Sequence, residues 1–370
     1  MGKKLFWCTS CLSMSTRPRI SFDSEGKCNA CQWKETKKII DWDKRKNELL
    51  IILESQKKQK KPFDCLIPVS GGKDGSYVSY MVKEKYGLNP LCITIKPPLS
   101  SDLGMRNLHQ FVESGFQHIT VVPSHTGMQK INKAGFEIMG FPYYGWLIAI
   151  QTAVLQIAEK FDIDLIIYGE DGEVEYGGST ETSSSPFYSP KYQRRVYFEG
   201  GYEKIMSNLS LTKSEKYFFT YPLITERSDK IKLIHWSYFE NWDPYRNYLI
   251  AKKYCGLTEN DNSNSGTFTN FAQTDQYLYP LHSYLMFLKF GFGRANQDAC
   301  IEIRRGAMDR DQAKNLVTLY DGQFPEELLD TYLYYYDMKN SDFFNILDKW
   351  ANKEILKKDG QFWKANFVII

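Results

Sequence analysis

The sequence predicts an α/β protein: a parallel sheet with helices on both faces, a small four-cysteine metal ribbon before it and a mostly helical part after it. Three observations carry this. Between Asp64 and Gly169, apolar strand-like runs alternate with helical stretches, the pattern of strands covered on both sides. Cys8, Cys11, Cys28 and Cys31 read C-x2-C, sixteen residues, C-x2-C. Beyond about residue 201, helical segments dominate. A chain of 370 residues holds two or three domains. We place them at 1–42 (ribbon), 43–200 (α/β core) and 201–370 (mostly helical).

Each C-x2-C lets two thiolates from one tight turn reach one ion, and two such knuckles close a tetrahedron. About forty residues bury little core, so the metal supplies folding energy. Structural Zn2+ on Cys8, Cys11, Cys28 and Cys31 is the expectation. A single iron in the same knuckles is the alternative. Cys65, Cys92, Cys255 and Cys300 lack paired spacing and read as core residues.

In the core, "DCLIPVS" (64–70), "PLCITIK" (90–96), "HITVV" (118–122) and "DLIIYG" (164–169) read as strands. Helices are expected at 76–86, 101–114, 125–140 and 144–160. Parallel sheets bind ligands beyond the carboxyl ends of their strands. The stretch "SGGKDGS" (70–76) sits at such an end. It is neither G-x4-G-K-[ST] nor G-x-G-x-x-G. Gly71, Gly72 and Gly75 can present backbone N–H groups as an anion nest, and the helix dipole adds favourable charge. Ser70 and Ser76 offer hydroxyls, Lys73 a point charge, and Asp74 a ligand for Mg2+. Pyrophosphate fits this nest.

A second constellation, "EDGEVEYGG" (170–178), follows the strand "DLIIYG". Glu170, Asp171, Glu173 and Glu175 fall on the same side as the glycine turn. Like charges so placed want a cation or a polar ligand. Glu170 or Asp171 is expected to help hold Mg2+ or to take a proton.

"SGGKDGS" resembles the PP-loop signature S-G-G-x-D-[ST] of the ATP pyrophosphatases. The resemblance implies a PP-loop (HUP-type) sheet and cleavage of ATP between its α- and β-phosphates. One residue departs: Gly75 stands where the signature has a hydroxyl, which arrives at Ser76. "GEDGEVEYGG" resembles a narrower motif of the N-acetyl sugar amidotransferases of bacterial surface-polysaccharide pathways. Their four-cysteine ribbon is similar too, with "TRPRISFD" (16–23) and "IDW" (40–42). So are "WDPYRNYLIAKKYCGL", "GTFTNFAQTDQ" and "LMFLKFGFGRANQDACIEIRRGAMDRDQA" (285–313). The resemblance implies ATP and Mg2+ as cofactors. It places Glu175, Tyr176 and Arg294 at an activated N-acetyl sugar, with Lys73, Asp74, Glu170 and Asp171 as the catalytic set.

The implied reaction adenylylates the acetamido oxygen and replaces it with ammonia, leaving an acetamidino sugar, AMP and pyrophosphate. No cysteine has the setting of a glutaminase nucleophile. A separate glutaminase with a cyclase-like, ammonia-channelling subunit is therefore the expected partner. A PP-loop tRNA-modifying enzyme of thiolase or lysidine-synthetase type is the alternative.

Net charge is +3, too little to argue for nucleic acid. No stretch reads as a membrane span or signal peptide, so a cytoplasmic location is expected. In the C-terminal part, helices are expected near 213–219, 226–239, 244–255, 278–291, 309–320 and 325–337. "STETSSSPFYSP" (179–190) reads as a mobile lid or plain loop. His282 reads as structural, and Arg294 as a grip on substrate or half of a salt bridge. The aromatic C-terminal half invites a homodimer.

Overall fold

The computed structural model describes residues 5–222 and 230–369. Two helices, α1 (Asn29–Lys37) and α2 (Trp42–Lys57), lead into the sheet. It begins with β1 (Cys65–Pro68), α3 (Lys73–Tyr80), β2 (Pro90–Ile95), α4 (Asp102–Glu113) and β3 (Gln117–Val121). Next come α5 (His125–Met139), α6 (Tyr144–Lys160), β4 (Leu165–Tyr168) and α7 (Gly172–Tyr176). β5 (Phe187–Tyr188) is followed by the short helices α8 (Pro190–Tyr192), α9 (Tyr202–Ser207) and α10 (Lys213–Lys216), then β6 (Lys232–His235). The chain ends with α11 (Pro244–Cys255), α12 (Leu278–Phe290), α13 (Arg294–Arg305), α14 (Arg310–Tyr320), α15 (Leu329–Tyr336), α16 (Asn340–Trp350) and the hairpin β7 (Leu356–Asp359) and β8 (Phe362–Ala365).

The sheet runs β3-β2-β1-β4-β6-β5. β1 pairs in parallel with β2 and β4, β2 with β3, and β4 with β6, while β5 is antiparallel at the edge. Strand order reverses between β1 and β4, which makes the crevice at their carboxyl ends the ligand position of an open α/β sheet. Successive side chains face opposite ways. Cys65, Ile67, Ile167 and Ile234 pack with α2, α3 and α4 on one face. Leu66, Ile166 and Leu233 pack with α5, α6 and the C-terminal helices on the other.

Two expectations are corrected. The helix expected at 226–239 is instead β6, followed by a 3-10 turn at Trp236–Tyr238; residues 223–229 lie outside the described set. Leu233 and Ile234 are fully buried on opposite faces, so the period here is two and both sides are apolar. The boundary at residue 200 also cuts through the sheet. β6 and α11, which packs across α3, belong to the α/β layer. The ribbon, too, is not free-standing: Cys8, Cys11, Leu12 and Cys31 share a core with Ala299, Cys300, Ala313 and Val317. Among the described residues no helix is long and apolar enough to cross a membrane.

Candidate active site

The glycine turn leaves β1 and opens α3. Gly71 has φ +78°, and a Cβ there would lie 2.4 Å from the Leu108 nitrogen, so only glycine fits. Gly72 is the extended N-cap of α3, with the Ser70 hydroxyl over it. The first amides of α3 therefore point into the crevice as free donors.

Gly75 explains the departure from the signature. A Cβ at this position would meet the Pro68 carbonyl oxygen at 2.9 Å and Val69 Cα at 3.1 Å. The helix crosses the strand end too closely for a side chain. The hydroxyl at Ser76 is rotated by about 100° around the helix and is fully buried without a hydrogen-bond partner. It does not face the crevice expected for its phosphate contact.

Asp74 stands at the mouth of the crevice. Its Oδ1 accepts from Asn247 Nδ2 at 3.1 Å, and Lys73 Nζ pairs with Oδ2. Asn247 is itself fully buried, and its Oδ1 accepts from Arg246 Nη2 at 3.0 Å. Arg246 pairs with Glu240, which accepts from Tyr77 at 2.9 Å. Gly169 lets β4 end against Asp74 Cβ and the Trp242 ring. The next residue, Glu170, has its pKa raised to about 7 by burial and then by the charge of Asp74. Two carboxylates facing each other beside the glycine turn are an arrangement that a divalent cation or a proton can relieve.

The four carboxylates of 170–175 do not act together. Glu170 faces Asp74 and accepts from the Tyr176 hydroxyl at 3.4 Å. Asp171 caps α7, accepting from the Glu173 and Val174 amides. Its other oxygen takes the Thr182 hydroxyl and faces His235 Nδ1 at 3.6 Å. Glu173 pairs with Arg19 at 2.7 Å. Glu175 pairs with Lys37 at 2.5 Å and accepts from Trp33 Nε1 at 2.9 Å. A five-residue helix spreads its side chains right round its axis, and each meets a different wall.

Arg294 forms an ion pair with Asp298 at 2.8 Å, on one face of α13. Asp298 also accepts from Thr267 and Thr269. Of the two sequence readings, the salt bridge is the one seen. His282 is held neutral by burial and the nearby Lys289 and Arg294, its pKa pulled down to about 3.

All four ribbon sulfurs lie within 4.8 Å of one another. Cys8–Cys31 is 3.8 Å and Cys11–Cys28 is 3.7 Å. A tetrahedral ion with metal–sulfur bonds of about 2.3 Å spaces its ligands by about 3.8 Å. The Ser10, Cys11 and Cys28 amides donate to Cys8 Sγ, as they would to a thiolate. Arg304 lies 3.8 Å from Cys11 Sγ. The donor set fits one metal ion, and a four-iron cube would need its sulfurs farther apart.

Residues the sequence reading passed over complete the site. Asn247 and Trp242 fall within "WDPYRNYLIAKKYCGL", a stretch whose spacing alone assigns them no role. Thr182 and His235 carried no motif at all.

Residues 265–368 match the family described as "LPS biosynthesis protein WbpG-like, C-terminal domain". An uncharacterised protein of Methanocaldococcus jannaschii is 33% identical over 89 residues, which is 24% of this chain. The matched stretch spans about a third (32%) of that relative's length. Among solved structures, the U34-tRNA thiolase NcsA from Methanococcus maripaludis, with its [4Fe-4S] cluster, aligns over 81% of this chain and 86% of its own. Sequence identity is 16% and the TM-score is 0.33.

Proposed function

We propose, from the premise that the C-terminal part of this chain belongs to the WbpG-like family of LPS biosynthesis proteins, that the protein is an AMP-forming N-acetyl sugar amidotransferase. The observation that carries the reading is the meeting of the glycine turn, Asp74 and Glu170 at the sheet's reversal point.

The free amides of α3 and Lys73 would take the β- and γ-phosphates of ATP. Asp74 would hold Mg2+, which neutralises charge at the phosphates. The acetamido oxygen attacks the α-phosphorus and pyrophosphate leaves. Ammonia then adds to the imidate carbon, AMP departs with that oxygen, and an amidine remains. Adenylylation is needed because an amide oxygen does not leave as oxide. Glu170, with its pKa near 7, is suited to take the proton ammonia must shed. Asp171 is assigned a positioning part: it caps α7 and so sets where Glu170 and Tyr176 stand. The ribbon holds Zn2+ as a structural ion in this reading.

Ammonia would come from a separate glutaminase. Cys65, Cys92, Cys255 and Cys300 are buried, and burial raises the pKa of each thiol, to about 12 for Cys92 and Cys255. Such thiols are poor nucleophiles.

The test is incubation with Mg-ATP, ammonium chloride and a panel of nucleotide-activated acetamido sugars, read by mass spectrometry. Replacement of one oxygen by NH with matching AMP supports the proposal. AMP formed only when tRNA is added would replace it with the RNA-modifying reading.

A further inference from the structure

The paired glycines that end "EDGEVEYGG" take no part in the chemistry proposed above. Gly177 has φ +90°, and a Cβ there would lie 3.2 Å from Asn29 Oδ1 and 3.4 Å from Ala30 Cβ. The end of α7 therefore packs directly on α1 of the ribbon. Other contacts along α7 also come from the ribbon. Asn29 Nδ2 donates to the Gly178 carbonyl at 2.7 Å. Trp33 Nε1 and Lys37 Nζ, farther along α1, donate to the two oxygens of Glu175 at 2.9 and 2.5 Å. Arg19, between the two cysteine knuckles, holds Glu173 with two hydrogen bonds, at 2.7 and 2.8 Å. α1 itself begins at the metal site: Cys28 is its N-cap and Cys31 lies in its first turn. A second route crosses from α13. Arg304 donates through Nη1 to Cys11 Sγ at 3.8 Å and through Nη2 to the Glu175 carbonyl at 3.4 Å.

We infer that the metal ribbon positions the candidate active site: it holds α7 so that Tyr176 meets Glu170, and Arg304 is the positioning residue that ties the metal site to α7. The inference takes from the amidotransferase reading only the role of Glu170. A helix of five residues does not hold itself, because so few backbone bonds do not offset the cost of nucleation. Its place is set by what grips it. Glu170 stands just before α7 and Tyr176 closes it, with the Tyr176 hydroxyl 3.4 Å from Glu170 Oε1. A shift of α7 moves both. Four thiolates around one divalent ion leave a net charge of about −2. The Arg304 guanidinium faces that charge at Cys11 while its other amino group reaches α7. The metal also sets the direction in which α1 leaves the second knuckle, and so the reach of Trp33 and Lys37. The glycine turn is held differently: Asn247 fixes Asp74 and Gly71 packs on Leu108, contacts made within the α/β layer. The ribbon therefore governs the Glu170 side of the crevice and not the glycine-turn side.

The test is hydrogen–deuterium exchange on the full chain, metal-loaded and after chelation, with calorimetric titration of Mg-ATP into the metal-loaded variants. Neither needs turnover. Chelation should speed exchange in 171–179 roughly tenfold or more, and added Zn2+ should restore it. Arg304→Gln should keep one metal per chain and still raise exchange there about five- to tenfold, as for one or two lost hydrogen bonds. Arg304→Lys should recover part of the protection. Trp33→Phe, which removes a single donor away from the thiolates, should raise exchange in the same segment by a smaller factor. Mg-ATP affinity should stay within about threefold of the parent in all three variants. In turnover, kcat for amidine formation should fall in Arg304→Gln while KM for ATP holds. Exchange in 171–179 that ignores chelation, or that ignores both Arg304→Gln and Trp33→Phe, would overturn the inference. So would loss of the metal from Arg304→Gln, the mark of an arginine that only supports the metal site, or a loss of Mg-ATP affinity matching the rise in exchange. If α7 responds as expected but no amidine forms, the positioning role stands and only the reaction fails.

Discussion

The side-chain amide of Asn247 donates to Asp74 Oδ1 at 3.1 Å across 173 residues of chain. Asn247 is fully buried, so it holds the carboxylate from beneath while leaving Asp74 open to the crevice. Replacing Asn247 by leucine should remove this hold and leave Asp74 to fold onto Lys73. Expected is a fall in AMP formation of about 10- to 100-fold, with the half-saturating Mg2+ concentration raised. Steady-state kinetics over a Mg2+ series measures both. An unchanged Mg2+ dependence would show that Asn247 is only packing.

Gly75→Ser restores the superfamily signature on paper. The structure predicts that it harms the protein, because the new Cβ lies 2.9 Å from the Pro68 oxygen. The expected cost is about 1–3 kcal/mol, with weaker ATP binding rather than stronger. Denaturant titration and nucleotide binding check this. A gain in ATP affinity would sink the account of why glycine stands there.

Glu170 ties stability and rate to pH. Its pKa rises from 4.5 to about 7, so the native state holds this proton more tightly than the unfolded chain. Between those values the unfolded state binds fewer protons, and stability falls as pH rises. The loss is on the order of 3 kcal/mol by pH 8 without Mg2+. Glu170→Gln should therefore match the parent near pH 5 and exceed it in melting temperature at pH 8. The rate of amidine formation should rise with pH around 7 in the parent and lose that step in the variant.

The ribbon metal supports more than the ribbon. Cys11 and Cys31 share their core with Ala299, Cys300 and Val317, and Arg310 donates to the Cys8 and Cys11 carbonyls, at 3.0 Å for Cys11. Metal removal, or Cys28→Ser, should loosen α13 and α14 as well. Elemental analysis should find one metal per chain. Hydrogen exchange should rise in 294–320 on chelation, and protection there that is unchanged would contradict the shared core.

Arg294→Ala should act on stability rather than on substrate affinity. It strands Asp298, which is 5% exposed, and losing one partner of a buried pair costs about 3–5 kcal/mol. A raised KM with an unchanged melting temperature would return Arg294 to the substrate.

Much of this is legible in the sequence. The strands, the helices from α3 to α6, the cysteine tetrad and the glycine turn follow from periodicity and spacing, which are local. β6 departs from the helix expected there because a strand buried on both faces has no alternation to distinguish it from a buried helix. The cluster at 170–175 was read as one group because sequence shows proximity along the chain but not direction around a short helix.

The sequence by itself determined which segments become strands, where glycine must turn the chain, and that four thiols are spaced to meet. Backbone sterics and ligand spacing act over a few residues. Only the tertiary structure decided that Asn247 meets Asp74, that Ser76 is buried, that Glu170 alone of its neighbours faces the crevice, and that Arg294 pairs with Asp298. Those outcomes depend on which surfaces meet when distant segments pack.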